Sequence, residues 1–444
     1  MDHSARQIGS LPGLKRYLRN VGWLSAERAL RLLLTFVVGI YLARYLGVEH
    51  FGLYSYVLAV WGMAAAVAKL GVDEILIKDL AAGEPRAFSL TLGSAFWLQV
   101  VSSVLTIALI CGIAAYSDGN EGLLLTVAAL GLFFQPLQTI DAYFRARVAG
   151  KYSSCAGAIQ VLISSGLKLA MIYLGADLIW FIAVVALDSV LLGFSLLALY
   201  LNRGLPSFFR AFNLRTAIGI VSRSWHLVLA GLAITLYMRI DQVMLKALIG
   251  EYDTGLYSAA VRVSEAVNVI PLVVVGALFP ALVNSSKENS EKFREQALVL
   301  FEVLFVASLV VAVLLSFYAP EVIVLLYGSA FVGSSDILAI HVWSIPFVFL
   351  GVASGRWLVA KDLTRFLMLR SIAGAVLNVG MNLFLIPRYG AAGAAIATVV
   401  SFACAAVLIH VFSRKTRECF FLQCRAIGLP CCASIRQLRL AVRS

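Results

Sequence analysis

Twelve long apolar runs dominate this chain, and any fold must bury them in lipid or against one another. A membrane-spanning helix needs about 20 mostly apolar residues. Runs of that length fall at 22–46, 52–80, 88–116, 121–147, 152–174, 177–201, 224–249, 254–283, 297–318, 333–360, 364–387 and 390–413. Several exceed 25 residues, which in a bilayer implies tilt or projection beyond the hydrocarbon. Hydrophobic residues make up 61% of the 444 and charged residues only 14%, against about 25% charged in soluble domains. That balance excludes a soluble enzyme, a disordered chain and a disulfide-rich secreted module. The expected fold class is an all-α integral membrane protein with twelve transmembrane helices. Residues 1–19 carry no apolar core and no small-residue cleavage site, so the first span is expected to insert the chain itself.

The formal charge of +12 would suggest nucleic acid in a soluble protein. Here the basic residues lie mostly between apolar runs, so they report topology and no nucleic-acid partner is expected. One set of alternate connections, with the two ends, holds 27 of the 36 basic residues; the other set holds Arg388 alone, beside acids such as Glu49, Asp118, Glu251 and Asp253. Cytoplasmic loops carry the excess of Lys and Arg, which places both termini in the cytoplasm. The longest connection, 202–223, reads as a surface linker. Of seven cysteines, Cys111, Cys155 and Cys404 sit inside apolar runs, and Cys419, Cys424, Cys431 and Cys432 sit in the tail without CxxC spacing. No metal site and no cofactor are expected. His50, His226 and His341 show no ligand spacing either.

The chain repeats itself. Leu46-Gly-Val-Glu-His-Phe-Gly-Leu-Tyr-Ser55 returns as Ile249-Gly-Glu-Tyr-Asp-Thr-Gly-Leu-Tyr-Ser258, with five of ten positions identical at an offset of 203. Pro136 with Lys151 is echoed by Pro346 with Lys361. Both decapeptides sit at the first outer hairpin of a six-span half. Gly47 and Gly250 are expected to end one helix with φ > 0, and Gly52 and Gly255 to open the next. Six is even, so the halves run parallel, as in transporters built from repeats about the membrane normal. The expected organisation is a six-helix lobe at 1–207, a second at 208–413 and a basic, cysteine-bearing cytoplasmic tail at 414–444, too short in apolar length to span and expected to be poorly ordered or to lie on the surface. The four hairpin glycines are candidate gating positions.

Besides those counted with the connections, eight basic residues lie within the runs: Arg28, Arg31, Arg44, Lys69, Lys168, Arg239, Lys246 and Arg262. A charge at mid-bilayer costs about 2.5–3.5 kcal/mol on insertion scales, so each needs a partner or a polar cavity. Arg44 and Lys246 lie near outer helix ends and can snorkel. Arg28 and Arg31 share a face, and Glu27 can pair with Arg31 at i,i+4. Lys69 and Asp73 are spaced as another such pair, Arg239 stands alone beside Asp241, and Arg262 is three residues from Glu265. Local ion pairs fixing helix packing would account for these charges. So would a water-filled cationic cavity for an anionic substrate, with Arg28, Arg31, Lys69, Arg239 and Arg262 as its lining, because guanidinium groups bind phosphate bidentately. Asp188 has no opposite charge at i±3 or i±4. It either bridges to Lys168 or titrates as an ion-coupling acid, with Glu265 the other candidate.

The segments Tyr41-Leu-Ala-Arg-Tyr-Leu-Gly47, Phe51-Gly-Leu-Tyr-Ser-Tyr56 and Pro387-Arg-Tyr-Gly-Ala-Ala-Gly-Ala-Ala-Ile-Ala-Thr398 resemble the polysaccharide flippase family of the multidrug/oligosaccharidyl-lipid/polysaccharide exporter superfamily. The resemblance covers roughly residues 15–413. It implies a two-lobe fold and alternating access. It also implies movement of an undecaprenyl-pyrophosphate-linked oligosaccharide across a bacterial inner membrane for O-antigen, capsule or exopolysaccharide synthesis. Partners so implied are that lipid-linked substrate, the bilayer, a proton or sodium gradient, and a polymerase or other polysaccharide-assembly proteins. A drug or metabolite antiporter on the same fold would favour acids over arginines in its cavity. A membrane polymerase or glycosyltransferase would need a sizeable outer loop, and the outer connections are short. The expected protein is not an enzyme, and no Walker motif marks ATP as its driver.

Overall fold

The computed structural model describes residues 11–82, 85–117, 119–271, 274–275 and 290–428, and they are mostly helical, with an irregular stretch at 202–213. The far end of the 254–283 run, Asp118, Lys287, Cys431 and Cys432 lie outside the described residues. In chain order the helices are α1 (Leu11–Lys69), α2 (Asp73–Ala82), α3 (Pro85–Ala114), α4 (Glu121–Leu130), α5 (Thr139–Ala146), α6 (Gly150–Tyr173), α7 (Leu178–Leu201) and α8 (Leu214–Leu248). They continue as α9 (Glu251–Ala266), α10 (Ser290–Phe317), α11 (Ala319–Tyr327), α12 (Ser334–His341), α13 (Ser344–Ala360), α14 (Arg365–Ala406) and α15 (Arg417–Gly428). Among the described residues nine helical stretches are long and apolar enough to cross a membrane. The chain is an all-helical, multi-pass membrane protein.

The nine stretches are fewer than the twelve sequence runs for a visible reason. Two of them, 22–81 and 365–412, join pairs of runs, and the described helix of the 254–283 run, Glu251–Ala266, is only 16 residues long. Inside α1, Gly47 has φ 73° and ψ 177°; inside α14, Gly390 has φ 54° and ψ −136°. Each marks a kink between two helices. Gly250, at the start of α9, repeats the Gly47 backbone with φ 131° and ψ −174°. That region is essentially closed to residues with a β-carbon, so the paired glycines end a helix by conformation, as the repeat predicts. Gly52 and Gly255 do something else. Both lie within the helices that follow, which begin at Val48 and Glu251, and their role is a close approach of backbone to backbone.

Three further expectations shift. The second run is not one helix: Leu70 and Gly71 both take φ 51°, α1 ends at Lys69, and α2 starts at Asp73. The 202–223 linker is shorter than expected, because α8 begins at Leu214. The Asn213 side chain accepts the Thr216 amide at 3.0 Å, and the Asn213 carbonyl accepts the Ala217 amide at 3.0 Å; asparagine is a strong helix N-cap. The start of the tail is folded, not loose. In α15, Cys419 is fully buried and the Gln423 amide donates to the Ala406 carbonyl at 3.0 Å.

The described chain forms two compact units. One contains the residues up to Leu46 together with Val57–Leu232; the other contains Gly47–Tyr56 together with the residues from Ala233 on. The first has an aromatic core in which Phe96, Tyr200 and Phe208 meet edge to face at 5.4–5.5 Å between centroids, a geometry favoured by the ring quadrupole. This fixes α3 and α7 around the α7–α8 connection.

Candidate functional site

The first unit encloses a polar cavity of about 540 Å³. Helical periodicity builds its walls. Leu24, Glu27, Arg28 and Arg31 come from α1, as do Trp61 and Lys69 two turns apart in its later half. Gln138, Asp141 and Arg145 line it at i, i+3 and i+7. Ser153, Ser154, Gly157 and Gln160 do so on α6, and Asp188, Ser189, Leu192 and Leu196 on α7. These spacings each keep one helix face inward.

Three of the five expected cations, Arg28, Arg31 and Lys69, therefore share this cavity with Asp188. Four acids accompany the four bases, however, so the wall is a mosaic rather than a cationic surface. Arg31 bridges Glu27 at 2.7 Å, as its i,i+4 spacing predicts, and donates to Gln160 Oε1 at 2.9 Å. Gln160 Nε2 donates to Asp188 Oδ1 at 2.5 Å, and Asp188 lies 3.6 Å from Lys168 Nζ. The chain Glu27–Arg31–Gln160–Asp188–Lys168 thus crosses α1, α6 and α7. Asp188 has taken the bridging option. Gly157 makes room for it: a β-carbon there would meet Glu27 Oε1 at 2.7 Å and Arg31 Nη2 at 2.9 Å. Lys69 and Asp73 line the same cavity but face each other across the α1–α2 break, with no ion pair between them among the described residues. Arg28 likewise has no carboxylate within ion-pair distance among the described residues.

In the second unit the remaining cations separate. Arg239 Nη2 lies 3.9 Å from Glu265 Oε2. Arg262, three residues from Glu265, instead packs its guanidinium over Phe51 at 4.7 Å and Tyr54 at 5.9 Å, a cation–π arrangement. Arg239 and Glu265 are thus each other's partners, and Arg262 stacks on the repeat's aromatics.

The most demanding group in this unit is one the sequence reading passed over. Asp241 is 3% exposed. Tyr257 Oη lies 2.6 Å from its Oδ2, Thr398 Oγ1 lies 2.6 Å from the same oxygen, and Asn382 Nδ2 donates to Oδ1 at 2.5 Å. Thr398 Oγ1 is also 2.9 Å from the Ala394 carbonyl, so one hydroxyl proton serves two acceptors. Asn382 Oδ1 and Asn378 Nδ2 have no hydrogen-bond partner among the described residues. A buried carboxylate needs such donors, because an unpaired one would be driven to its neutral form. The oxygens gathered here, from Asp241, Thr398, Asn382 and the Ala394 carbonyl, are ligands that suit a hard cation or a proton. Asp241 and Glu265 both line a small pocket with Ser264 and His341, where Ser264 Oγ and His341 Nδ1 are 2.8 Å apart. The signal was present in the sequence: Asp241 has no opposite charge at i±3 or i±4, the criterion that singled out Asp188.

A family model described as polysaccharide biosynthesis protein matches residues 17–286. That is well over half the chain. The chain belongs to the polysaccharide biosynthesis protein family. A curated relative, the probable low-salt glycan biosynthesis flippase Agl15 of Haloferax volcanii, is 24% identical over 384 residues, covering 83% of this chain and 77% of its own. Among solved structures, the lipid II flippase MurJ in an inward closed conformation superposes with a TM-score of 0.70 at 13% identity, over 91% of each chain. An inward-facing multidrug resistance MATE family transporter of the MOP superfamily gives 0.66 at 16% identity, over 90% of this chain and 95% of that one. A MOP superfamily transporter from Pyrococcus furiosus, described as having a binding pocket of reverse polarity, gives 0.64 at 16% identity, over 93% and 96%. The fold is that of the MOP superfamily. By family the chain is a polysaccharide biosynthesis protein, and by fold it is similar to these transporters.

Proposed function

We propose that the protein carries a pyrophosphate-linked oligosaccharide lipid from the cytoplasmic to the outer leaflet of a cell membrane by alternating access. Arg28 is the observation that carries this reading. It lines a large polar cavity, Arg31 and Arg145 on the same walls are engaged by carboxylates, and it is left with a planar fork for a phosphate. Arg31 and Lys69 stand on the same wall, and Arg239 and Arg262 extend the basic set in the second half.

In this reading the kinks at Gly47 and Gly390 divide their stretches and the 254–283 run adds one more, which gives twelve spans in two parallel lobes, 1–207 and 208–413. The loop charges place both termini and the 414–444 tail in the cytoplasm, and the membrane is a bacterial inner membrane. Asp241, rather than Asp188 or Glu265, is the ion-coupling acid, because it alone is fully buried with oxygen ligands around it. Gly47, Gly52, Gly250 and Gly255 shape the outer gate. A polymerase receives the product on the far side.

The test is translocation by purified protein in proteoliposomes, using undecaprenyl-pyrophosphate-linked oligosaccharide and Arg28→Gln as the control. Transport by the wild type and at least a tenfold loss in the variant are expected. Transport of cationic drugs instead, unaffected by Arg28→Gln, would establish the antiporter alternative.

A further inference from the structure

Within the cavity of the first unit we infer a binding subsite for a sugar ring, formed by Trp61, Ser153, Ser154 and Gln138. The inference rests on the proposed flippase function and assigns a part of the substrate that the basic residues do not explain.

Arg28, Lys69 and Asp73 aside, the charges at the cavity are paired. Glu27 holds Arg31 at 2.7 Å, Asp141 holds Arg145 at 2.6 Å, and Asp188 holds Lys168 at 3.6 Å. What stays unsatisfied is neutral. Trp61 Nε1, Ser153 Oγ and Ser154 Oγ are all shielded and have no hydrogen-bond partner among the described residues, and all three residues line this one cavity. Ser154 is 2% exposed. An indole N–H can only donate, whereas a serine hydroxyl donates and accepts. Leaving such groups buried and unpaired is costly, about 1–3 kcal/mol each.

A polyol meets this demand where an anion does not. Its hydroxyls accept from Trp61 and exchange both roles with Ser153 and Ser154. They also donate to the spare lone pairs of the paired carboxylates and to the Gln138 amide. A phosphate could use the donors but would be repelled by Glu27, Asp141 and Asp188 on the same wall. The indole adds an apolar face against which a ring's C–H surface can pack. The volume of about 540 Å³ lies within the usual range for small-molecule sites, roughly 300–1,000 Å³. In this assignment Arg28 takes the pyrophosphate at one side of the cavity and the first sugar sits beyond it.

The experiment compares two ligands on detergent-purified full-length protein. One is the pyrophosphate-linked oligosaccharide lipid prepared from cells that make the protein; the other is undecaprenyl pyrophosphate with no sugar. The wild type is expected to bind the glycosylated lipid more tightly. Trp61→Phe keeps the ring and removes only the donor, and Ser154→Ala removes only the hydroxyl. Each should weaken glycosylated-lipid binding about fivefold, the scale of one neutral hydrogen bond, and leave binding of the bare lipid unchanged. Equal weakening of both ligands, no weakening of either, or a wild type that does not distinguish them would overturn the sugar subsite. A wild type that binds neither lipid would instead overturn the flippase reading. Thermal unfolding of each variant confirms that the protein is intact.

Discussion

Gly52 and Gly255 meet backbone to backbone. A β-carbon at Gly52 would lie 1.9 Å from the Glu251 carbonyl oxygen and 2.8 Å from the Gly255 amide nitrogen, and one at Gly255 would lie 2.0 Å from the Val48 carbonyl oxygen. The two copies of the repeated decapeptide therefore touch each other through their glycines. Contacts this short are with rigid main chain, so even alanine must push the helices apart. Overpacking of this kind costs about 1–3 kcal/mol. Gly52→Ala and Gly255→Ala should reach the membrane at reduced melting temperature and transport poorly. Unimpaired transport in Gly52→Ala would remove the hairpin contact from any gating role.

Gly47 and Gly250 form the contrasting pair. A β-carbon at either would meet nothing within 4 Å, and the constraint is the positive φ alone. Alanine at Gly47 or Gly250 should destabilise by about 1–3 kcal/mol, a lower melting temperature with substrate affinity retained. A change in affinity comparable to that of Arg28→Gln would contradict this division of labour.

Asp241 yields a sharper expectation. Asp241→Ala strips an acceptor from Tyr257, Thr398 and Asn382 together, and each orphaned buried donor costs about 1–3 kcal/mol, so the variant should express poorly. Asp241→Asn keeps the shape but sets one amide N–H₂ against donors. It should fold, with transport that no longer responds to a sodium or proton gradient. Assays across imposed gradients check this. If Asp241→Asn responds like wild type while Asp188→Asn or Glu265→Gln does not, the coupling acid is one of those two.

The Glu27–Arg31 pair is suited to a double-mutant cycle in melting temperature. Arg31 is about two-fifths exposed, which weakens the pair by solvent screening, but it also holds Gln160. A coupling energy of about 1 kcal/mol is expected between Glu27→Gln and Arg31→Gln. Gly157→Leu should break the same contact sterically. Strictly additive effects would show that the network is incidental.

The tail helix can be read through its thiols. Burial pushes the Cys419 thiol well above its ordinary value of 9.0, and partial burial raises Cys424 more modestly. A raised pKa leaves less thiolate at neutral pH, so both should alkylate slowly at pH 7, and a rise in pH should speed labelling only of an accessible thiol. Cys424, which is exposed, should respond and Cys419 should not. Glu418 ties α15 to Arg294, and lies 3.9 Å from Lys361. Glu418→Gln should loosen the helix and make Cys419 reactive, measured by maleimide labelling in protein with Cys431 and Cys432 changed to serine. Prompt Cys419 labelling in the parent protein would argue against docking.

The sequence by itself determined the membrane class, the apolar runs and the local pairs. Apolar length, loop charge and i,i+4 spacing are properties of a chain segment, and a helix satisfies its own backbone wherever it lies. Hence the Glu27–Arg31 bridge, the Lys168–Asp188 option and the turn glycines Gly47 and Gly250 were legible in advance. Only the tertiary structure decided which charges meet across helices. Glu265 turned to Arg239 instead of Arg262, Arg262 turned to Phe51, and the α1–α2 break parted Lys69 from Asp73. Asp241 found Tyr257, Asn382 and Thr398 up to 157 positions away. The roles of Gly52 and Gly255 were hidden for the same reason. A missing β-carbon announces either a special φ or a close neighbour, and the neighbour exists only once the helices have packed.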